Sequence, residues 1–304
     1  MPPPLVSQVT QTIKPYIPQR VRVSGRSLQS AVATREARRA FARARTGGEA
    51  WLDPELIEPL NESFTAPPRY RYSADTLLER GQARAATLRR IAGDERARTL
   101  EVGAGDATVS WCLAETGARA TAIDLTDRLY KDRVRDSGVE LLVGDATAME
   151  LDDGAFDMAF SFNSFEHVDD PGAVLGEMLR VVRPGGTVHL DFGPLYFSPY
   201  GLHGYRTLNI PYASLLFRRE DLEAYTESRA LRPIPFDELN YWPVTRFRDL
   251  WASAAPQATI AQMHEVRQVA GLDLITRHPD CFATKTQAFD DLVVATVRIT
   301  LRRT

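Results

Sequence analysis

The chain has 304 residues, enough for one large α/β domain with additions or for two small domains. Its 44% hydrophobic and 25% charged content exclude a disordered or fibrous chain, and no apolar run approaches the roughly 20 residues that a membrane span needs. The net charge of −3 is uneven, because residues 1–98 hold seventeen Lys/Arg against ten Asp/Glu and the remainder is acidic.

A basic arm of this kind attracts phosphate, nucleic acid or an anionic membrane. The arginines between residues 35 and 45 are mixed with alanines at helical spacing, however, which fits a solvated helix face. Met1-Pro2-Pro3-Pro4 lacks the basic-then-apolar layout of a secretory signal. Cys112 and Cys281 make no disulfide framework and suit no metal site. A cytoplasmic protein with reduced thiols is expected.

In chain order, residues 1–27 are rich in proline and β-branched residues and read as an extended arm. Residues 27–45 read as a helix that stops at Gly47 and Gly48. Pro54, Pro59, Pro67 and Pro68 then break the chain, and a second helix runs from the N-cap Ser73 to about Ala92, before Gly93. From residue 98 strands and helices alternate. Strands are expected at 99–102, 119–125, 139–143, 156–162 and 187–192, with helices at 107–116 and from Pro171 to near Arg183. Pro184-Gly185-Gly186 is read as the stop of the latter. This rhythm predicts a parallel sheet covered on both faces, with ligands at the carboxyl ends of its strands. Residues 193–245 lose the rhythm and are dense in Pro, Gly and Tyr, with a helix only at 219–228. A lid or acceptor-binding insertion is expected there. A helix at 244–254 and strands at 259–266 and 292–301 complete the chain. The expected division is an arm and helical extension over 1–95 and one domain over 96–304, with 193–245 inserted.

The most informative stretch is Leu100-Glu101-Val102-Gly103-Ala104-Gly105-Asp106-Ala107. Gly103 permits a tight turn off the strand, and Gly105 lets the backbone approach a ligand. The next helix aims its N-terminal amides at that ligand. A dinucleotide fingerprint needs Gly or Ala three residues after the second glycine, where this chain has Thr108. The stretch instead resembles the first motif of class I S-adenosylmethionine-dependent methyltransferases, acidic-x-Gly-x-Gly-x-Gly. Glu101 stands at the acid and Ala107 at the last glycine. The likeness extends over about residues 98–192.

The resemblance implies a doubly wound, mostly parallel Rossmann-like sheet in which the final strand is an antiparallel edge. It implies S-adenosylmethionine as cofactor and S-adenosylhomocysteine as product. Gly103, Ala104 and Gly105 would line the methionine portion, and Asp124, followed by Leu125, would accept hydrogen bonds from both ribose hydroxyls. Asp145, beside Ala146, would face the adenine amino group, and Asn163 opens the segment after the fourth strand. Each acid also suits a turn or cap, Asp157 most of all. Residues 193–203 resemble a segment of bacterial glycan and natural-product methyltransferases.

The acceptor expected from these features is a small molecule or sugar, methylated on oxygen. The Asn/Asp-Pro-Pro-Tyr/Phe tetrapeptide of amino-directed enzymes is missing, so no nucleic-acid partner is expected. His167 and His203 are the candidate bases. His189 lies within a strand and reads as structural. Tyr196, Tyr200 and Tyr205 are the candidate aromatic wall, and Tyr70 and Tyr72 a cover for the methionine end. The acids near 166–170 read as charges at the start of the Pro171 helix rather than metal ligands, and no metal is expected. The alternatives are N- or C-methylation without a base, or a catalytically silent cofactor-binding module.

Overall fold

A computed structural model describes residues 19–67 and 73–304. Its framework is a seven-stranded sheet in the order β3-β2-β1-β4-β5-β7-β6. The strands are β1 (Arg98–Val102), β2 (Arg119–Asp124), β3 (Glu140–Val143), β4 (Phe156–Phe162), β5 (Val182–Phe192), β6 (Ala258–Arg267) and β7 (Val294–Arg303). β1 to β5 pair in parallel, and β7 runs antiparallel to both β5 and β6. The expected Rossmann-like sheet is therefore present.

The helices are α1 (Gln19–Arg43), α2 (Ile57–Ser63), α3 (Ala74–Ala92), α4 (Thr108–Ala114), α5 (Asp132–Arg135) and α6 (Pro171–Val181). They continue with α7 (Ala213–Leu216), α8 (Arg219–Ser228), α9 (Val244–Ser253), α10 (Leu272–Arg277), α11 (Pro279–Ala283) and α12 (Phe289–Val293). The central strands are apolar on both sides because helices cover both faces. On one face Leu100, Val102, Leu190 and Phe192 pack with Val174 and Met178 of α6 and with Phe247 and Trp251 of α9. On the other, Met158, Phe160 and Phe162 pack with Ala85 and Leu88 of α3 and with Val109 and Leu113 of α4. Ser73 caps α3 as expected, accepting a hydrogen bond from the Thr76 N–H.

Four expectations are corrected. The final strand is not the edge: β7 is buried along most of its length, whereas β6 is exposed at nearly every position and takes the edge. Apolar residues in both registers of β7 need cover on both faces, whereas β6 mixes polar residues with exposed Ile260, Met263 and Val266. The first helix starts at Gln19 rather than near residue 27, because no proline interrupts the chain between Pro18 and Pro54. Pro184-Gly185-Gly186 does not stop a helix; α6 ends at Val181, and the tripeptide lies in an irregular start of β5, where Val182 pairs with Phe156. Residues 193–245 hold more than the one helix expected at 219–228, which is present as α8. They hold α7 and α8 and bury Leu195, Tyr212, Leu215 and Phe217, and the Tyr212 hydroxyl donates to the Leu292 carbonyl at 2.9 Å.

The chain divides into a unit of residues 1–50 with 269–287 and a unit of residues 51–268 with 288–304. This differs from a boundary at residue 95, because α2 bonds to the insertion and α3 packs on the sheet. Glu58 meets Arg229 at 2.7 Å, and Asn61 accepts the Asn209 N–H. In the smaller unit α1 packs on α10 and α11, neither of which the sequence reading anticipated. There the Arg45 N–H donates to Asp280, and Lys285 donates to the Ala50 carbonyl. Both cysteines are free and buried. Among the described residues no helix is long and apolar enough to cross a membrane.

Candidate active site

The carboxyl ends of β1 and β4 open onto a cavity of about 450 Å³. The turn after β1 forms its floor. Gly103 has φ +66°, and a Cβ there would meet the Ser164 Oγ at 2.0 Å, so only glycine fits. The Gly105 N–H donates to Asp124 Oδ2 at 2.8 Å, which ties the turn to the end of β2. A Cβ on Gly105 would meet nothing within 4 Å. Ala107 takes φ +51°, the left-handed conformation that explains a glycine preference at this place in the motif.

Glu101 does not line the cavity. Its carboxylate is buried beneath the turn and accepts from the Ser110 N–H at 2.9 Å and hydroxyl at 2.7 Å, fastening α4 to β1. Burial pushes this carboxyl up to about 7 despite the two bonds from Ser110. Its role is to position the turn.

Gly103, Ala104, Gly105 and Asn163 line the cavity; Asp124 ends β2, Leu125 follows it, and Asp145 and Ala146 follow β3, all four outside the residues that line the cavity. Asp145 accepts the Thr147 N–H at 2.8 Å, and hydrogen bonds from Thr147 hold its carboxyl below the usual range. Leu125 is 74% exposed, an uncovered apolar side chain directly after Asp124. Asp157 lies at the other end of β4. Burial pushes its carboxyl up, but Arg98 and then Arg183 outweigh this and hold it at about 2.

The cavity lining also joins two segments 36 positions apart. His167 follows β4 and His203 lies in the insertion, yet their ring centroids are 5.0 Å apart. His167 Nδ1 donates to the Glu238 carbonyl, and His203 Nε2 donates to the Pro194 carbonyl at 3.0 Å. Burial lowers His203 to about 4, so this imidazole is neutral at pH 7. Its backbone sits at φ +57°, sparsely populated by residues other than glycine.

Glu166 completes the cluster and was missed as a site residue, read only as a helix-start charge. One of its oxygens accepts the Gly193 N–H at 3.0 Å; the other is buried with no partner among the described residues. Burial raises its carboxyl above the usual range. Only glycine fits at 193, because a Cβ there would meet the Ala295 carbonyl oxygen at 2.2 Å.

Of the three tyrosines, only Tyr205 lines the cavity. Tyr196 packs against Tyr241 at 4.5 Å and Phe197 at 5.2 Å, and Tyr200 is half-buried in the turn whose carbonyl accepts the His203 N–H. Neither is part of the wall. Tyr70 and Tyr72 lie outside the described residues. The sequence reading placed α3 but missed its contribution to the cavity, Leu77, Arg80 and Arg84. Their spacing at i, i+3 and i+7 marks one helix face, a signal available in the sequence. His189 is structural, bonded to the Thr300 hydroxyl at 2.9 Å.

Residues 100–190 match the family described as a methyltransferase domain. These residues are a class I S-adenosylmethionine-dependent methyltransferase domain. Curated relatives are similar over part of the chain. A demethylmenaquinone methyltransferase of Renibacterium salmoninarum is 33% identical over 139 residues, 42% of this chain and 57% of that one. A ubiquinone biosynthesis O-methyltransferase of Xanthomonas oryzae is 37% identical over 102 residues, 31% of this chain and 42% of that one. The chain spans about half the length of these two relatives. A solved structure from Pyrococcus horikoshii shares the fold, with a TM-score of 0.50, 17% identity, and coverage of 76% of this chain and 93% of that one.

The cofactor of a methyltransferase domain of this class is S-adenosylmethionine, and the residues present suit it. The floor is backbone with open space above Gly105, and Asp124 keeps a second oxygen beside the one that holds the Gly105 N–H.

Proposed function

We propose that the chain transfers the methyl group of S-adenosylmethionine to a hydroxyl oxygen of a polar small molecule such as a sugar. The observation that carries this reading is the cluster of Glu166, His167 and His203 in the cavity that the Gly103–Gly105 turn also lines. Arg80, Arg84, Lys131 and Tyr205 add polar groups to the same cavity, as an acceptor rich in hydroxyls requires.

Gly103, Ala104 and Gly105 would hold the methionine portion, Asp124 the ribose and Asp145 the adenine edge. Leu125 and Ala146 would cover the adenine, and Asn163 would close the inner side. The bound cofactor supplies an electrophilic methyl that carries its own leaving group. The acceptor oxygen bonds to the methyl carbon as the carbon–sulfur bond breaks, and the electron pair of that bond stays on sulfur. The oxygen loses its proton toward the imidazoles of His167 and His203. Holding the acceptor in line supplies about 7–11 kcal/mol of the barrier reduction, and assisted proton loss roughly 10²–10⁴-fold in rate. Residues 193–245, which bring His203 and Tyr205, would cover the bound acceptor.

A second reading follows from the name of the ubiquinone biosynthesis O-methyltransferase, in which the acceptor is an oxygen of a quinone precursor. Leu77, Leu129, Phe162 and Pro194 are the apolar wall residues that favour it. Calorimetry with S-adenosylmethionine, then labelled methyl transfer to a panel of glycosides, catechols and amines, tests both. Transfer to glycosides supports the first reading and to catechols the second; transfer to amines alone overturns both.

A further inference from the structure

We propose that Glu166, His167 and His203 hold a first-row divalent cation, with zinc the best fit, on the acceptor side of the cavity. A carboxylate oxygen of Glu166 and one ring nitrogen of each histidine lie within 4.8 Å of one another. Donors about 2.1 Å from a shared ion sit at most about 4.2 Å apart, so small side-chain rotations close the set.

Three independent features prepare these groups for a cation. Each histidine donates one N–H to a backbone carbonyl, His167 from Nδ1 to Glu238 and His203 from Nε2 to Pro194. A carbonyl can only accept, so His167 Nε2 and His203 Nδ1 are left with free lone pairs. Metal-binding histidines are oriented in this way, with the far nitrogen anchored on an acceptor. Glu166 is 2% exposed and lines the cavity, and its second oxygen lacks any partner among the described residues. A cation would satisfy that oxygen. Lastly, His203 is held at φ +57°, and such conformations persist where the surroundings force them, often at ligand sites.

Two imidazoles and one carboxylate favour zinc and its first-row neighbours over magnesium or calcium, which prefer oxygen donors alone. Three protein ligands leave a coordination position open to the cavity. A hydroxyl bound there is acidified; with the ion in place its proton passes to solvent, and without the ion to an imidazole as described above. This use of the site rests on the methyl-transfer reading above, although binding of the ion does not. The expectation of no metal came from acids that are neighbours in sequence, and His203 was not among them.

The test uses the full chain after treatment with a chelator and exchange into buffer. Calorimetry with zinc chloride should give one saturable site, and zinc should raise the unfolding temperature. Glu166→Gln keeps the shape and an acceptor for the Gly193 N–H, so it should fold and yet bind zinc at least tenfold more weakly. His167→Ala and His203→Ala should weaken binding similarly, and His264→Ala, a distant exposed histidine, should not. S-adenosylmethionine affinity is measured on the same samples and should change by less than threefold in all four variants. Absence of saturable zinc binding, or binding that Glu166→Gln and both histidine variants leave intact, overturns the metal site. Failure to bind S-adenosylmethionine would instead count against the methyl-transfer reading alone.

Discussion

Glu101 accepts two hydrogen bonds from Ser110, one from its N–H and one from its hydroxyl, and so fastens β1 to the helix that follows the Gly-x-Gly turn. The group is fully buried, and its folded value near 7 lies above the 4.5 of an exposed carboxyl. A raised folded value contributes stability that is complete below about 4.5 and is lost as pH rises through about 7. The shift corresponds to about 3 kcal/mol as an order of magnitude. In unfolding measurements, the stability of the cofactor-free wild type relative to Glu101→Gln should therefore fall as pH rises from about 4.5 to about 7 and level off above that. Equal slopes in both proteins would remove Glu101 as its source.

Asp124 both supports the turn and offers an oxygen for the ribose. Asp124→Ala should weaken S-adenosylmethionine binding more than tenfold, since a hydrogen bond to a charged group contributes about 1.5–3 kcal/mol. Calorimetry on a variant with an unchanged circular dichroism spectrum checks this. Wild-type affinity would disprove the assignment.

Gly103 meets Ser164 too closely to admit a side chain. Gly103→Ala should lower stability by about 1–3 kcal/mol and impair cofactor binding. Adding Ser164→Gly removes the clash and should recover part of the loss, leaving the strain of a positive φ. A double variant no better than the single one would show that the clash is relieved by other movements.

Arg98, Asp157 and Arg183 form an ion cluster remote from the cavity. A depressed carboxyl contributes stability above its unfolded value near 3.8 that is lost as pH falls through about 2. The arginines are about half exposed, so the contribution is about 1 kcal/mol. Asp157→Asn should lower stability at pH 7 by that amount, and the difference should vanish by pH 2. Acid titration of both proteins by fluorescence measures it.

Residues 193–245 carry the fourth prediction about the site itself. With S-adenosylhomocysteine and acceptor both bound, hydrogen exchange should slow in the stretch around His203 and Tyr205. The buried residues around Phe217 should be protected already. An unchanged exchange rate at His203 would separate the insertion from acceptor binding.

The sheet and the cofactor turn were legible because their signals are local. Gly103, Gly105 and Asp124 sit within one strand–turn–helix–strand passage whose spacing fixes their neighbours. The acceptor wall was only half legible. His167 and His203 could each be named from position, but their approach depends on how the insertion folds back, and no local pattern encodes that. Glu166 was misread because its neighbour Asp170 does cap α6, accepting the N–H groups of Gly172 and Ala173. Tyr196 and Tyr200 looked like a wall because aromatic residues near a mouth serve packing and binding equally well. Short helices such as α10 and α11 carry too few turns for a periodic signal.

The smaller unit is assembled from two segments that the larger one separates in sequence. During synthesis α1 leaves the ribosome long before α10 and α11 exist, because residues 51–268 must be made first. At roughly 5–20 residues per second that interval is about 10–40 seconds, long compared with the folding of most small domains. A nascent chain thus carries α1 without its partners through most of its translation; residues 269–287 complete the smaller unit, and the last residues then bring β7 between β5 and β6 and close the sheet.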